Sequence, residues 1–236
     1  MMRIWCTTTA AVMCAAAVGA ATSAQDDERA VPVNEAPYHQ PVFSNDHLIV
    51  MKIDIPPQRN TGYHTHSRDS VSVNIVPADI ATQDAGQTQS TRAPRRQPGE
   101  ATFNAYGKQP RTHKNSNIGS TPFHNVSFIF RSSKPPGLTP SSRTEVPGYA
   151  RVMDNDRVRG WRLVLDPGAS VAAITQQAPG LRVVVGGGEI VERVPGQPDR
   201  PLNLRTGEFY WQDSGVPRAV QNAGSTRVEL LEFELK

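Results

Sequence analysis

Apolar residues in this chain come in short runs, many alternating with polar ones. In the first half such runs include Leu48-Ile49-Val50-Met51, Val71-Ser72-Val73-Asn74-Ile75 and Val126-Ser127-Phe128-Ile129-Phe130. Trp161-Arg162-Leu163-Val164-Leu165, Leu181-Arg182-Val183-Val184-Val185 and Val228-Glu229-Leu230-Leu231-Glu232-Phe233 follow in the second. An alternation of period two sends successive side chains to opposite faces of an extended strand. The 20 prolines and 18 glycines punctuate these runs, and both residues favour turns. No stretch beyond residue 24 holds a 3.6 period for three turns, so no helix of consequence is predicted. The pattern predicts an all-β chain of many short strands, closed into a barrel or sandwich.

The pattern occurs twice. Asn45-Asp46 opens one strand and Asn155-Asp156 opens another 110 residues on; Pro57 and Pro167, and Thr65 and Thr175, keep that offset. Asn117-Ile118-Gly119-Ser120-Thr121 recurs as Asn222-Ala223-Gly224-Ser225-Thr226, at an offset of 105. Each copy then ends in a strand, around Phe128 and Phe233. The shared order of these matches implies an internal duplication. Lys134-Pro135-Pro136-Gly137-Leu138-Thr139-Pro140-Ser141-Ser142, between the copies, has the composition of a linker.

The amino-terminal stretch reads as a processing signal rather than structure. Arg3 precedes an uncharged apolar run from Ile4 to Ala21; small residues follow at Thr22-Ser23-Ala24, and polarity returns at Gln25-Asp26-Asp27-Glu28. That is the form of a secretory signal peptide over residues 1–24, and it directs the expectation of a periplasmic or secreted protein. Cys6 and Cys14 both lie inside it, so the processed chain is expected to fold without disulfides. Losing Arg3 leaves 24 basic against 22 acidic residues, and no basic run exceeds Arg95-Arg96. No electrostatic footprint for nucleic acid is present, and no later segment is apolar enough to span a bilayer.

Candidate chemistry concentrates in the first copy. In Tyr63-His64-Thr65-His66-Ser67-Arg68-Asp69 the two histidines are two residues apart, so on a strand both face the same side. Imidazole is the commonest metal ligand. A third ligand has to come from another strand, and His113 in Pro110-Arg111-Thr112-His113-Lys114-Asn115-Ser116-Asn117 is the candidate. Asp69 is a fourth; one step along a strand turns its side chain to the opposite face unless a loop or bulge intervenes. His39, His47 and His124 are expected in ordinary surface or hydrogen-bonded roles.

The His-x-His pair after a Pro-rich strand end, Gly99-Glu100 further on, and a His with Asn four residues later resemble the two motifs of the cupin family. The resemblance spans nearly the whole chain after residue 24 once the second copy is included. It implies two tandem double-stranded β-helix (jelly-roll-like) barrels: residues 25–133 with an N-terminal arm, a Pro/Ser-rich linker over 134–148, and a degenerate barrel over 149–236. It also implies a metal inside the first barrel, held by His64, His66 and His113. The family carboxylate falls four or five residues after the second His, where this chain has Ser70 and Val71. The remaining three-His set is similar to that of some cupin-type iron oxygenases. Iron is the first expectation, and manganese, zinc, nickel or copper could take the same atoms.

The second copy lacks the set. At the repeat offsets Ile174, Gln176 and Arg218 stand for His64, His66 and His113. That barrel is expected to be filled and dry or rebuilt for an organic ligand, with Arg218 binding an anion or pairing with Glu208 or Asp213. Gly186-Gly187-Gly188 is expected to form a hairpin turn. Two functions follow: an exported metal-dependent oxygenase acting on a small organic molecule, and a non-catalytic binding or scaffold protein with a structural or vestigial metal. An oxalate-decarboxylase-like reading needs the carboxylate that is missing. The barrel edges leave room for homo-oligomers.

Overall fold

A computed structural model describes residues 29–236; the expected leader, with Cys6 and Cys14, lies outside the described residues. The first copy contributes β1 (Val31–Pro32), β2 (His39–Ser44), β3 (Leu48–Ile55), β4 (His64–His66), β5 (Ser70–Val76), β6 (Ile80–Asp84), β7 (Thr91–Arg92), β8 (Ala101–Asn104), β9 (Arg111–Asn117) and β10 (Phe123–Phe130). The second contributes β11 (Tyr149–Asp154), β12 (Val158–Leu165), β13 (Ser170–Thr175), β14 (Gly180–Gly186), β15 (Gly188–Arg193), β16 (Arg200–Leu204), β17 (Phe209–Gln212), β18 (Pro217–Asn222) and β19 (Val228–Leu235). A single 3-10 turn, Val33–Glu35, is the one helical element among the described residues. No helix there is long and apolar enough to cross a membrane.

Each copy forms two sheets. The first pairs β1-β4-β9-β6-β7 and β2-β3-β10-β5-β8; the second pairs β11-β12-β19-β14-β17 and β13-β18-β15-β16. The repeat is visible in the registers. β3 pairs with β10 from Leu48↔Phe130 to Ile55↔Phe123, and β12 with β19 from Val158↔Leu235 to Leu165↔Val228.

The duplicated asparagines have identical structural roles. Asn45 Oδ1 accepts the amides of His47 and Leu48, and Asn155 Oδ1 accepts those of Arg157 and Val158. Asn117 donates from Nδ2 to the carbonyls of Ile55 and Thr121 and accepts Gly119 N–H at Oδ1. Asn222 makes the same three bonds, to Leu165, Thr226 and Gly224. An asparagine side chain carries both donor and acceptor, so one residue can tie three strands' ends where a turn leaves backbone groups unpaired.

Period-two alternation decides what lies inside each barrel. On β5 and β10 the serines and asparagines Ser72, Asn74, Asn125 and Ser127 face the interior of the first barrel. Val71, Val73, Val126, Phe128 and Phe130 face the other way, into a core shared with Val158, Leu181, Val183, Leu231, Phe233 and Leu235 of the second barrel. Phe128 and Phe233 meet edge-on across it, ring centroids 5.1 Å apart. Each such side chain, fully buried, is worth about 1.5–3 kcal/mol. The two barrels therefore share one apolar layer; the interior of the first is left for polar groups, while the second adds an apolar cluster of its own around Leu163, Val184, Ile190 and Leu230.

Two details differ from the sequence reading. Gly186-Gly187-Gly188 is not a hairpin: β14 and β15 belong to different sheets, and the glycines carry the chain across the barrel edge. A Cβ at Gly187 would collide with the carbonyl of Leu204. The segment between the barrels also does more than connect them. It carries no strand, yet Ser141 and Arg143 are buried inside the second barrel.

Candidate metal centre in the first barrel

The backbone pairing of β4 with β9 places His64 directly opposite His113, and Thr65 opposite Thr112. The two threonines bond side chain to side chain at 2.9 Å on one face, so the residues flanking Thr65 point to the other. His66 lies two residues further along that inward face. The structure thus brings His64, His66 and His113 together, with one ligand-capable nitrogen from each within 4.8 Å of the others. Ring centroids are 4.7 Å apart for His64 and His113 and 5.0 Å for His66 with either.

The proton positions suit a Lewis acid. His64 Nδ1–H donates to the Gly62 carbonyl at 3.1 Å, which leaves the lone pair on Nε2. That Nε2, His66 Nε2 and His113 Nδ1 are buried with no hydrogen-bond partner. Burial without a partner is costly for a polar nitrogen, and a divalent cation held by one nitrogen of each ring would offset that cost. By this criterion the residues present fit a metal ion.

Burial also keeps the rings neutral. Desolvation and the neighbouring His39 lower His64 to about 4 against the pull of the Gly62 carbonyl. Desolvation and then His113, His64, His39 and Arg111 lower His66 to about 2. Desolvation, His64, Arg111 and His39 lower His113 to about 3. At neutral pH all three rings are uncharged, and His113 Nε2 lies 3.4 Å from the Asn115 amide nitrogen.

Asp69 does not join the trio. Its carboxylate accepts the Gly107 amide at 2.8 Å and lies 3.7 Å from Arg157 of the second barrel. No bulge turns it inward; the β4–β5 turn uses it to tie the first barrel to its neighbour. The cluster is three imidazoles without a carboxylate.

The histidines line one side of a cavity of about 260 Å³. Its far wall is sheet β2-β3-β10-β5-β8, with Ile53 and Ile55 beside Ser72, Asn74, Asn125 and Ser127. The side-chain oxygens of Asn74 and Asn125 are buried there without partners. Tyr106 stacks near His66 at 4.5 Å, and burial raises its hydroxyl above the ordinary phenol value. Both cavity arginines are already paired: Arg111 donates to Asp84 at 2.6 Å, and Arg96 to Glu100 at 2.9 Å. The cavity offers amide and hydroxyl groups rather than bare charge.

His39 was the residue that sequence reasoning undervalued. It is buried in the cavity wall, its ring 4.7 Å from that of His64 and its Nδ1 3.0 Å from the Pro37 carbonyl. The hydrogen-bonded role was expected, but nothing in the local pattern places it beside the trio. The polar lining was legible as Ser72/Asn74 and Asn125/Ser127, which occupy one phase of otherwise apolar strands. His47 stacks on Trp211 at 5.7 Å across the barrel boundary, and His124 pairs with Asp54.

No protein-family model matches the sequence, and no curated protein does. Solved structures do. The chain is similar to AerE from Microcystis aeruginosa, with a TM-score of 0.60 and 14% identity over 85% of this chain and 98% of that one. It is also similar to salicylate 1,2-dioxygenase from Pseudaminobacter salicylatoxidans, with a TM-score of 0.55 and 14% identity over 80% of this chain and 71% of that one. Adducts of that dioxygenase with gentisate match with a TM-score of 0.54 and 15% identity, covering 80% and 68%. At these identities the likeness is one of fold.

Proposed function

We propose that this chain, a two-barrel cupin by fold, is an exported metal-dependent oxygenase acting on a small organic molecule bound in the first barrel. The observation that carries the reading is the convergence of three imidazoles, two buried and one half-buried, each with a buried unpartnered nitrogen, on one side of a cavity. A dioxygenase among proteins of the same fold supports it. His64, His66 and His113 would hold the ion. Bound by three neutral ligands, a divalent ion keeps its full charge and, if iron, supplies both Lewis acidity and redox chemistry.

The chain's own groups have separate tasks in this reading. Asn74 and Asn125 orient the substrate through their free amide oxygens. Tyr106, kept protonated by burial, donates a hydrogen bond beside His66. Ile53, Ile55 and Phe123 exclude water from part of the wall. Export rests on the tripartite pattern of residues 1–24.

A second reading has one observation in its favour: no carboxylate joins the trio, so the metal could be structural or recruit a ligand without turnover. Two measurements separate the readings. Metal content of the processed protein is determined by mass spectrometry after loading with iron, manganese or zinc, against His64→Ala and His66→Ala. Oxygen uptake is then followed with dicarbonyl, catechol and thiol compounds. Equal and negligible metal in wild type and variants removes the basis of both readings. Bound metal without oxygen consumption across the panel leaves the non-catalytic one.

A further inference from the structure

The interior of the second barrel is filled: Leu163, Val184, Ile190, Val220 and Leu230 pack part of it, and a cluster of buried charged groups occupies the rest. Ile174 lies opposite Arg218 in the β13–β18 register, as His64 lies opposite His113, and Gln176 stands 110 residues after His66. The space between these three residues is bounded by Arg143, Tyr149 and Glu232, and only about 10 Å³ of it is free. The group that fills it is the guanidinium of Arg143, brought in by the segment that joins the barrels. We infer that the second barrel is a guanidinium-binding site whose resident ligand is the chain's own Arg143.

The geometry is that of a receptor. Arg143 Nη1 pairs with Glu232 Oε2, and Nη2 donates to Glu234 Oε1 at 2.7 Å. Its Nε faces Ser141 Oγ at 3.4 Å, and its Cζ lies 4.9 Å from the Tyr149 ring centroid. Two carboxylates meet the donors of a flat cation, and an aromatic ring lies close to its carbon. Guanidinium satisfies this arrangement through parallel donors and a delocalised plane; an ammonium does not.

Other residues hold the receptor carboxylates in place. Arg182 donates to Glu232 Oε1 from Nε at 2.8 Å, and the Tyr149 hydroxyl donates to Glu232 Oε2 at 3.0 Å. Glu234 Oε2 accepts the backbone amides of Ser141, Gln177 and Ala178 at 2.9, 3.2 and 3.2 Å. The charges show why a cation is required. Glu192 is shared by Arg182, Arg218 and Arg200, and Glu232 by Arg143 and Arg182, but among the described residues Arg143 is the one arginine paired with Glu234, so its removal leaves that buried carboxylate without a cation. Arg218, expected to bind an anion or pair with Glu208 or Asp213, instead has Nε 3.9 Å from Glu192 and Nη1 on the backbone carbonyls of Asp213 and Val216.

The test uses the full processed protein and does not depend on the metal reading of the first barrel. Arg143→Ala is unfolded thermally with ethylguanidinium, ethylammonium or magnesium chloride. The expected result is a lowered Tm of which about half is regained at about 10 mM ethylguanidinium, saturably, with no gain in wild type. Ethylammonium and magnesium leave the variant unchanged. If Arg143→Ala does not fold alone, refolding from urea is expected to recover soluble protein only when ethylguanidinium is present. Arg143→Lys, which keeps an aliphatic stem and a charge at this position, is expected to stay below wild type and to gain nothing from the probe. Absence of rescue, or equal rescue by ethylammonium or magnesium, overturns the inference.

Discussion

Lowering the pH reads the environment of the three histidines directly. In the unfolded chain each titrates near 6.5; in the folded metal-free protein they are held at about 4, 2 and 3. Between these limits the unfolded state binds more protons, so stability falls as the pH is lowered from about 6.5 toward 4. At about 1.36 kcal/mol per pH unit, each histidine costs roughly 2 kcal/mol at pH 5, or about 6 kcal/mol for three acting separately. Urea unfolding of the metal-free protein at pH 7, 6 and 5 measures this. His113→Ala should remove about a third of the loss. Bound metal competes only with protons on the folded protein, so retention should persist well below pH 6, where solvated imidazoles would release it, and fail near pH 4. Stability of the metal-free protein that stays flat from pH 7 to 5, or metal lost already at pH 6, would show the imidazoles to be solvated and would refute the assignment.

The other predictions concern single side chains. His66→Ala should weaken metal binding about 100-fold or more, taking one ligand's share of a typical site's 10–16 kcal/mol, as read by competition with a chromogenic chelator. Asp69→Asn should leave metal content unchanged while lowering stability by about 1–2 kcal/mol through the partly unpaired Arg157; loss of metal would restore the carboxylate as a ligand. Phe128→Ala should cost about 3–5 kcal/mol and destabilise both barrels in one transition; two separate transitions would contradict a shared core. Asn222→Ala, which strands two carbonyls and one amide, should cost about 3 kcal/mol, measured by thermal or urea unfolding.

Much of the architecture was written in the chain, because a strand reports its two faces with a period of two residues. The duplication was legible in Asn45/Asn155 and Asn117/Asn222, since turns that need one side chain to satisfy several backbone groups tolerate few substitutes. The pair His64 and His66 was legible for the same geometric reason, and His113 through its resemblance to a second motif. What the one-dimensional pattern could not hold was anything decided by packing between distant segments. Asp69 sits one residue from a ligand position in sequence, yet Arg157 and the Gly107 amide, 88 and 38 residues away, fix where its charge goes. His39 joins the cavity because β2 pairs with β3, a contact its own neighbours do not announce. Arg143 lies in a stretch whose composition says linker, and only the closed barrel, with Glu232 and Glu234 turned inward by the apolar layer on their other face, makes it a ligand. Local periodicity fixes which face a side chain takes; the tertiary fold alone decides which charge waits on that face.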